Sequence, residues 1–152
     1  MGVQLTQGTV FPGIWTAIQS GTGACDITAI PTGYKLLRLE ILSTGGTLDM
    51  TFNADAGAHY GWAVHGTTTN QGGTQSAITI ASGQVIQFSA IEIVNLAAAI
   101  KYVTGTAGNF TNLATAPGSQ SVAGQWTNNT NEINRITVTG TPVYWALFGA
   151  SL

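Results

Sequence analysis

Apolar and polar side chains alternate along most of this chain. Leu37, Leu39 and Ile41 are aliphatic while Arg38 and Glu40 fall between them, the period of two with which a half-buried strand faces core on one side and solvent on the other. Leu48, Met50 and Phe52 alternate with Asp49 and Thr51 in the same way. Comparable runs predict strands over Ile14 to Ser20, Ala24 to Ile30, Ser76 to Ala81, Gln84 to Ser89, Ile91 to Leu96, Ala98 to Thr104, Ile133 to Thr139 and Val143 to Phe148. Between them stand turn formers, among them Gly21-Thr22-Gly23, Pro31-Thr32-Gly33, Gly72-Gly73, Pro117-Gly118 and Gly140-Thr141-Pro142. Ser43-Thr44-Gly45-Gly46 reads as a hairpin turn joining two of the clearest strands.

About eight to ten short strands with no helical stretch between them define an all-β fold, an antiparallel β-sandwich or jelly roll. No repeat of fixed period and no shift of composition divides the chain, so residues 13–152 read as a single β-sandwich domain. Residues 1–12, Met1 to Pro12, lack clear periodicity and read as an N-terminal arm. Two small, polar, Gly-rich stretches, His65 to Gln75 and Thr104 to Gly124, read as loops at one end of the sandwich.

Composition narrows the function. Of 152 residues only 7% are charged, while 44% are hydrophobic and 20 are Gly. An average soluble domain has about 25% charged residues. Four Lys and Arg together and a net charge of -2 leave no basic footprint for nucleic acid. Solubility then rests on Thr, Ser, Asn, Gln and Gly, or on assembly that hides faces of the domain. The most apolar run, Ile91 to Val103, is interrupted by Glu92, Asn95 and Lys101 and is too short to span a bilayer. The N-terminus lacks the basic and apolar regions of a secretory signal, although Met1-Gly2-Val3-Gln4-Leu5-Thr6 fits the pattern of an acylated start. Cys25, the single cysteine, allows no internal disulfide and reads as a small core residue.

The search for chemistry yields no catalytic residues, no cofactor site and no committed metal site. His59 and His65, the two histidines, stand six apart across an expected turn, with no nucleophile elbow in the chain. Asp26, Glu40, Asp49, Asp55, Glu92 and Glu132 show no pairing of the kind a glycosidase needs. Gly21-Thr22-Gly23 and Gly105-Thr106-Ala107-Gly108 lack a P-loop's lysine and a dinucleotide fold's helix, and both read as turns. Phe52-Asn53-Ala54-Asp55-Ala56-Gly57-Ala58-His59-Tyr60 is the densest polar cluster. Asn53 and Asp55 offer oxygens of the kind calcium takes, and equally the side chains that hydrogen-bond their own turn. Trp15, Trp62, Trp126 and Trp145, with Tyr34, Tyr60, Tyr102 and Tyr144, form either a sugar-stacking platform, with Trp62 and Trp126 foremost, or core and interface. Asn109-Phe110-Thr111 and Asn128-Asn129-Thr130 match the glycosylation pattern by composition alone.

An early Trp15, the run Tyr34-Lys35-Leu36-Leu37-Arg38-Leu39, the turn from Phe52 to Tyr60, a late Ile133-Asn134-Arg135-Ile136-Thr137-Val138 and a closing Leu147-Phe148-Gly149 together resemble a family of bacteriophage virion β-sandwich proteins. Members of that family carry an F-N-G-D-T-G-x-x-Y turn and end in L-Y-G. This chain has Ala54, Ala56 and Phe148 where the family favours Gly, Thr and Tyr. The resemblance implies a virion protein with no catalytic residues. Its expected place is the outer capsid surface, as a homotrimeric jelly-roll cement or decoration protein bound to the major capsid protein. The alternative it implies is a tail or fibre β module that meets a host-surface glycan. No nucleic-acid or membrane partner is expected on either reading.

Overall fold

A computed structural model describes residues 14–66, 70–84, 86–110, 117–128 and 130–151. The expected arm at residues 1–12, with its acylation-like start, lies outside the described residues, as do Thr111 and Asn129 of the two glycosylation patterns.

Among the described residues twelve strands follow one another: β1 (Thr16–Thr22), β2 (Cys25–Ile27), β3 (Leu36–Ser43), β4 (Gly46–Phe52), β5 (Tyr60–His65), β6 (Asn70–Gln75), β7 (Ile78–Gln84), β8 (Ile86–Val94), β9 (Lys101–Phe110), β10 (Gly118–Trp126), β11 (Ile136–Thr139) and β12 (Pro142–Ala150). They form two antiparallel sheets, one of eight strands in the order β1-β12-β3-β8-β9-β10-β5-β6 and one of four in the order β2-β11-β4-β7. The expected antiparallel sandwich is therefore correct, with more strands than expected. Both stretches read as loops contain strands: β6 lies within His65 to Gln75, and most of β9 and β10 within Thr104 to Gly124. Hydrophobic contrast is weak in these strands because Gly, Thr, Ser and Ala fill their outward positions. Gly105-Thr106-Ala107-Gly108 is likewise no turn but the middle of β9, and Gly72-Gly73 lies inside β6.

The core forms between the sheets because the inward parity of each strand is apolar. Leu37, Leu39 and Ile41 of β3, Ile91 and Ile93 of β8 and Leu147 of β12 face Leu48, Met50 and Phe52 of β4, Ile78 and Ile80 of β7 and Ile136 of β11, all buried. Each such aliphatic side chain contributes about 1.5–3 kcal/mol on leaving water.

The Ser43-Thr44-Gly45-Gly46 turn is not a hairpin. β3 pairs with β12 and β8 in the large sheet, while β4 pairs with β11 and β7 in the small one, so the turn carries the chain from one sheet to the other. The β1–β2 and β11–β12 connections make the same crossing. These corners are tied together by hydrogen bonds from Gly23 N to Val143 O (2.9 Å) and from Thr44 N to Thr141 O (3.2 Å), and by the Thr141 hydroxyl donating to Gly45 O. Gly140 turns the third corner at φ +115°, where a Cβ would lie 2.5 Å from the Thr47 carbonyl oxygen. Replacement Gly140→Ala should therefore cost about 2 kcal/mol or more, backbone strain and collision combined. Urea denaturation with an unchanged m-value checks this.

Candidate functional site

Two places in the fold hold more than packing requires. The first is the turn between β4 and β5. Asn53 and Ala54 are both left-handed, at φ 52° and 56°, which lets the chain reverse within two residues. Asn53 Oδ1 accepts from the backbone N–H of Asn134 (2.8 Å) and Arg135 (3.1 Å), and its Nδ2 donates to Glu132 O (3.1 Å), which clamps the turn to the segment entering β11. The Asp55 carboxylate accepts from Gly57 N (2.9 Å), from His59 Nδ1 (2.8 Å) and from the indole N–H of Trp126 (2.7 Å). Tyr60 donates its hydroxyl proton to Asp55 O (3.0 Å) and accepts from Phe52 N (3.0 Å). The Phe52, Tyr60 and Trp126 rings cluster beneath with centroids 5.5–6.2 Å apart.

Beside this knot, Lys101 is fully buried, its ammonium 5.7 Å from the centre of the Trp126 ring and donating to Ala99 O at 2.7 Å. Glu132 pairs with Lys35 and accepts from Gly33 N (2.9 Å). Asn95, also buried, donates to Tyr34 O (3.0 Å) and accepts from Ile133 N (2.6 Å).

Electrostatics follow from these contacts. Burial pushes the Asp55 carboxyl up, but the Trp126, Gly57 and His59 donors outweigh it and hold it below the ordinary carboxylate range. Glu132 is likewise lowered, its own desolvation overcome by Lys35 and Gly33. The hydrogen bonds of Arg135 do the same for exposed Asp26. Burial pushes Lys101 down and the Tyr60 hydroxyl up to about 12. Cys25 is the small core residue expected, its thiol driven up to about 12 chiefly by desolvation.

The oxygens of Asn53 and Asp55 are thus engaged by N–H donors, from within the turn and from the segments at Trp126 and Asn134–Arg135. Among the described residues no group of three or more His, Cys, Asp and Glu side chains is placed to hold a metal. His59 and His65 do not flank a turn, for His65 ends β5 on its outward side. The aromatic residues divide sharply. Trp126, Tyr60, Tyr34 and Trp145 are core, and Trp62 is half-buried against the core, so the two tryptophans singled out for sugar stacking do not form an open platform. Trp15, Tyr102 and Tyr144 are exposed.

The second place is the outer face of the eight-stranded sheet. Cross-strand register aligns Tyr144, Leu42, Phe88 and Gly108 in one row and Phe148, Arg38, Glu92 and Thr104 in another. Leu42, Ile86, Phe88, Tyr102 and Tyr144 are 38–54% exposed there. The inward parity of β8 is unbroken, but in its first half the polarity is inverted, with polar Gln87 and Ser89 buried while apolar Ile86 and Phe88 point outward. Charge on this face gathers at Arg38, which pairs with Glu40 at 3.0 Å and approaches Glu92 at 3.9 Å. The outer face of the four-stranded sheet is the opposite in character. It presents Asp26, Asp49, Thr51, Thr79, Thr137 and Thr139, with Thr79 bonded to Asp49 (2.6 Å) and Thr137 to Asp26 (3.1 Å). Sequence reading missed the apolar row because it exists only once β12, β3 and β8 are paired. Its one local signal is the run Ile86-Gln87-Phe88-Ser89, which carries its apolar residues on the opposite parity to Ile91 and Ile93.

No protein-family model, curated protein or solved structure matches this chain. The site is consequently defined by its geometry: a hydrogen-bonded knot whose polar atoms face one another, and a broad, weakly charged outer sheet face.

Three outcomes are expected of the knot. Left-handed backbone costs a non-glycine residue about 1–2 kcal/mol, so Ala54→Gly should raise stability by about 1 kcal/mol, read as a shift in the urea midpoint. Carboxyls held low in the folded state stabilise it while ionised, and that contribution disappears as they protonate. Thermal melts should therefore be nearly constant from about pH 7 to 5 and fall below about pH 4, where the unfolded-state carboxyls begin to take up protons first. In Asp55→Ala the Trp126 indole loses its acceptor, which should lower stability by about 1–3 kcal/mol at neutral pH and flatten the acid limb.

Proposed function

We propose that this protein is a structural subunit of a bacteriophage particle, a cement or decoration protein that binds assembled coat subunits and stabilises the head. The observation that carries this reading is the outer face of the eight-stranded sheet, where apolar side chains stand exposed in register on a domain with very few charges. A contiguous apolar patch of this kind marks a surface that meets another protein, and permanent interfaces resemble a domain core cut in half. The resemblance of the turn and the closing strand to phage virion β-sandwich proteins supports the same conclusion. The polar knot supports it from the other side, since its carboxylate and amide groups are spent on holding the turn and leave a rigid block.

The mechanism is mechanical. Copies associate with one another and with the major capsid protein, and each contact exists only in the assembled state. Their binding free energy therefore adds to shell stability by mass action and is multiplied by the number of sites. The outer capsid surface is the expected location, and no cofactor enters the scheme.

Labelling the chain on intact virions of its source and imaging where the label falls, and in how many copies, tests the proposal. Label distributed over the shell at regular positions is the expected result, together with loss of heat resistance from heads that lack the protein. Label confined to the tail would replace the head assignment with the tail or fibre one. Absence from the virion would overturn both.

A further inference from the structure

We infer that the outer face of the eight-stranded sheet is covered by a second copy of this chain, in a two-fold pair. The inference rests on the packing-subunit reading, puts a two-fold pair in place of the homotrimer that the family resemblance implies, and identifies the surface by which copies first meet. Three observations carry it: the area of the face, its charge, and the distribution of large and small side chains across it.

Eight strands at about 4.8 Å spacing and roughly seven residues at about 3.4 Å each span about 900 Å², comparable to the roughly 800 Å² each partner contributes to a stable interface. The chain does pay for exposing apolar groups here. Among the described residues, buried Ser43 of β3 and Ser89 of β8 have hydroxyl oxygens without a hydrogen-bond partner, and buried Gln87 is held through its amide to Gly46 O (2.8 Å), while Ile86 and Phe88 of β8 point out. Burying hydroxyls without partners costs free energy, and a partner that covers Ile86 and Phe88 offsets it. The charge on the face is Arg38 set between Glu40 and Glu92, largely self-neutralised, so two such faces approach without strong repulsion.

The distribution of side-chain size selects a second copy over an unrelated partner. The midline of the sheet falls between β8 and β9. On one side, β12, β3 and β8 present Tyr144, Phe148, Leu42, Arg38, Phe88 and Glu92. On the other, β9, β10 and β5 present small groups along the two aligned rows, Gly108, Thr104, Ser119, Ala123 and Ala63, while the larger Tyr102, Gln125 and His65 lie outside those rows. A two-fold axis along that midline and parallel to the strands keeps every residue's height and exchanges the halves. Before sheet twist is allowed for, Phe88 of one copy then lies over Gly108 of the other, Leu42 over Ser119, Arg38 over Ala123, Glu92 over Thr104 and Phe148 over Ala63, as the cross-strand registers dictate. Large meets small at each of these five positions, and because the interface is isologous each contact occurs twice. Two sheets stacked face to face interdigitate in this manner at about 10 Å separation.

The test is the mass of the full chain in solution at tens of micromolar, by sedimentation velocity, with variants on both halves. Wild type should sediment as a dimer. Phe88→Glu on the large half and Gly108→Arg on the small half should each raise the dissociation constant at least 100-fold. At Gly108 a side chain meets nothing within 4 Å in the isolated chain, so this variant blocks the partner and spares the fold. Trp126 fluorescence and melting of the monomer should confirm the fold in both variants. Thr51→Arg, on the four-stranded face, should remain dimeric. A wild-type monomer at this concentration, a trimer, or a dimer indifferent to both substitutions would overturn the inference. Its failure is separable from that of the virion proposal. Monomers bound to shells would refute the pair alone, and dimers missing from virions would refute the particle assignment alone.

Discussion

The alternation of side chains along paired strands is the constraint on which the rest of this molecule depends. Because neighbouring strands run in register across most of the eight-stranded sheet, a residue's parity decides its fate in company with its neighbours on both sides. Inward parity meets the four-stranded sheet and builds the core. Outward parity meets no second layer among the described residues. The two sheets are unequal in strand number, and their outer faces have diverged accordingly, one into hydroxyl and carboxylate groups that bond one another, the other into an apolar ridge beside a plain of small residues.

The polar knot at the β4–β5 turn shows how a dense cluster of functional side chains can be wholly structural. Each heteroatom of the Asn53 amide has a partner in the segment entering β11, and the Asp55 carboxylate joins local donors, Gly57 N and His59, to a distant one, Trp126, 71 residues away. Buried polar groups tolerate so little mismatch that satisfying them fixes the approach of several segments at once. The knot thus locates the entry to β11 and the end of β10 relative to the core, and its rigidity is transmitted to the sheet from which the outer face is built.

Much of this was legible in the sequence, and what was not has definite physical causes. Strands with aliphatic inward positions, such as β3 and β4, announced themselves through contrast with Arg38, Glu40 and Asp49. β9 and β10 did not, because their outward positions are small and their inward glycines are there for fit: a Cβ on Gly105 would lie 2.5 Å from Ala90 O, and one on Gly124 2.9 Å from Ile78. The pattern Val122-x-Gly124-x-Trp126 was the remaining signal. Sheet membership was also hidden, since a Gly-Gly turn looks alike whether it folds a hairpin or crosses between sheets. The motif from Phe52 to Tyr60 was found as a cluster, but which of its two readings applied depended on Trp126 and Asn134, which only the fold brings near. The apolar outer row was illegible in principle, since its members belong to three strands.

The pairing of β1 with β12 and of β2 with β11 has a consequence for how the molecule is made. Trp145, whose indole closes on Ala24 O, is synthesised 121 residues after it. While the ribosome is at work, β1 and β2 emerge with the partners they have among the described strands, β12 and β11, still unmade. Vectorial synthesis therefore cannot complete either sheet strand by strand, and closure waits for the last ones. Nonlocal pairing of this kind is slow, and until it is achieved an adhesive β surface stays in the open. The order of synthesis and the order of pairing are thus opposed, and the first strands made are among the last to be locked in place.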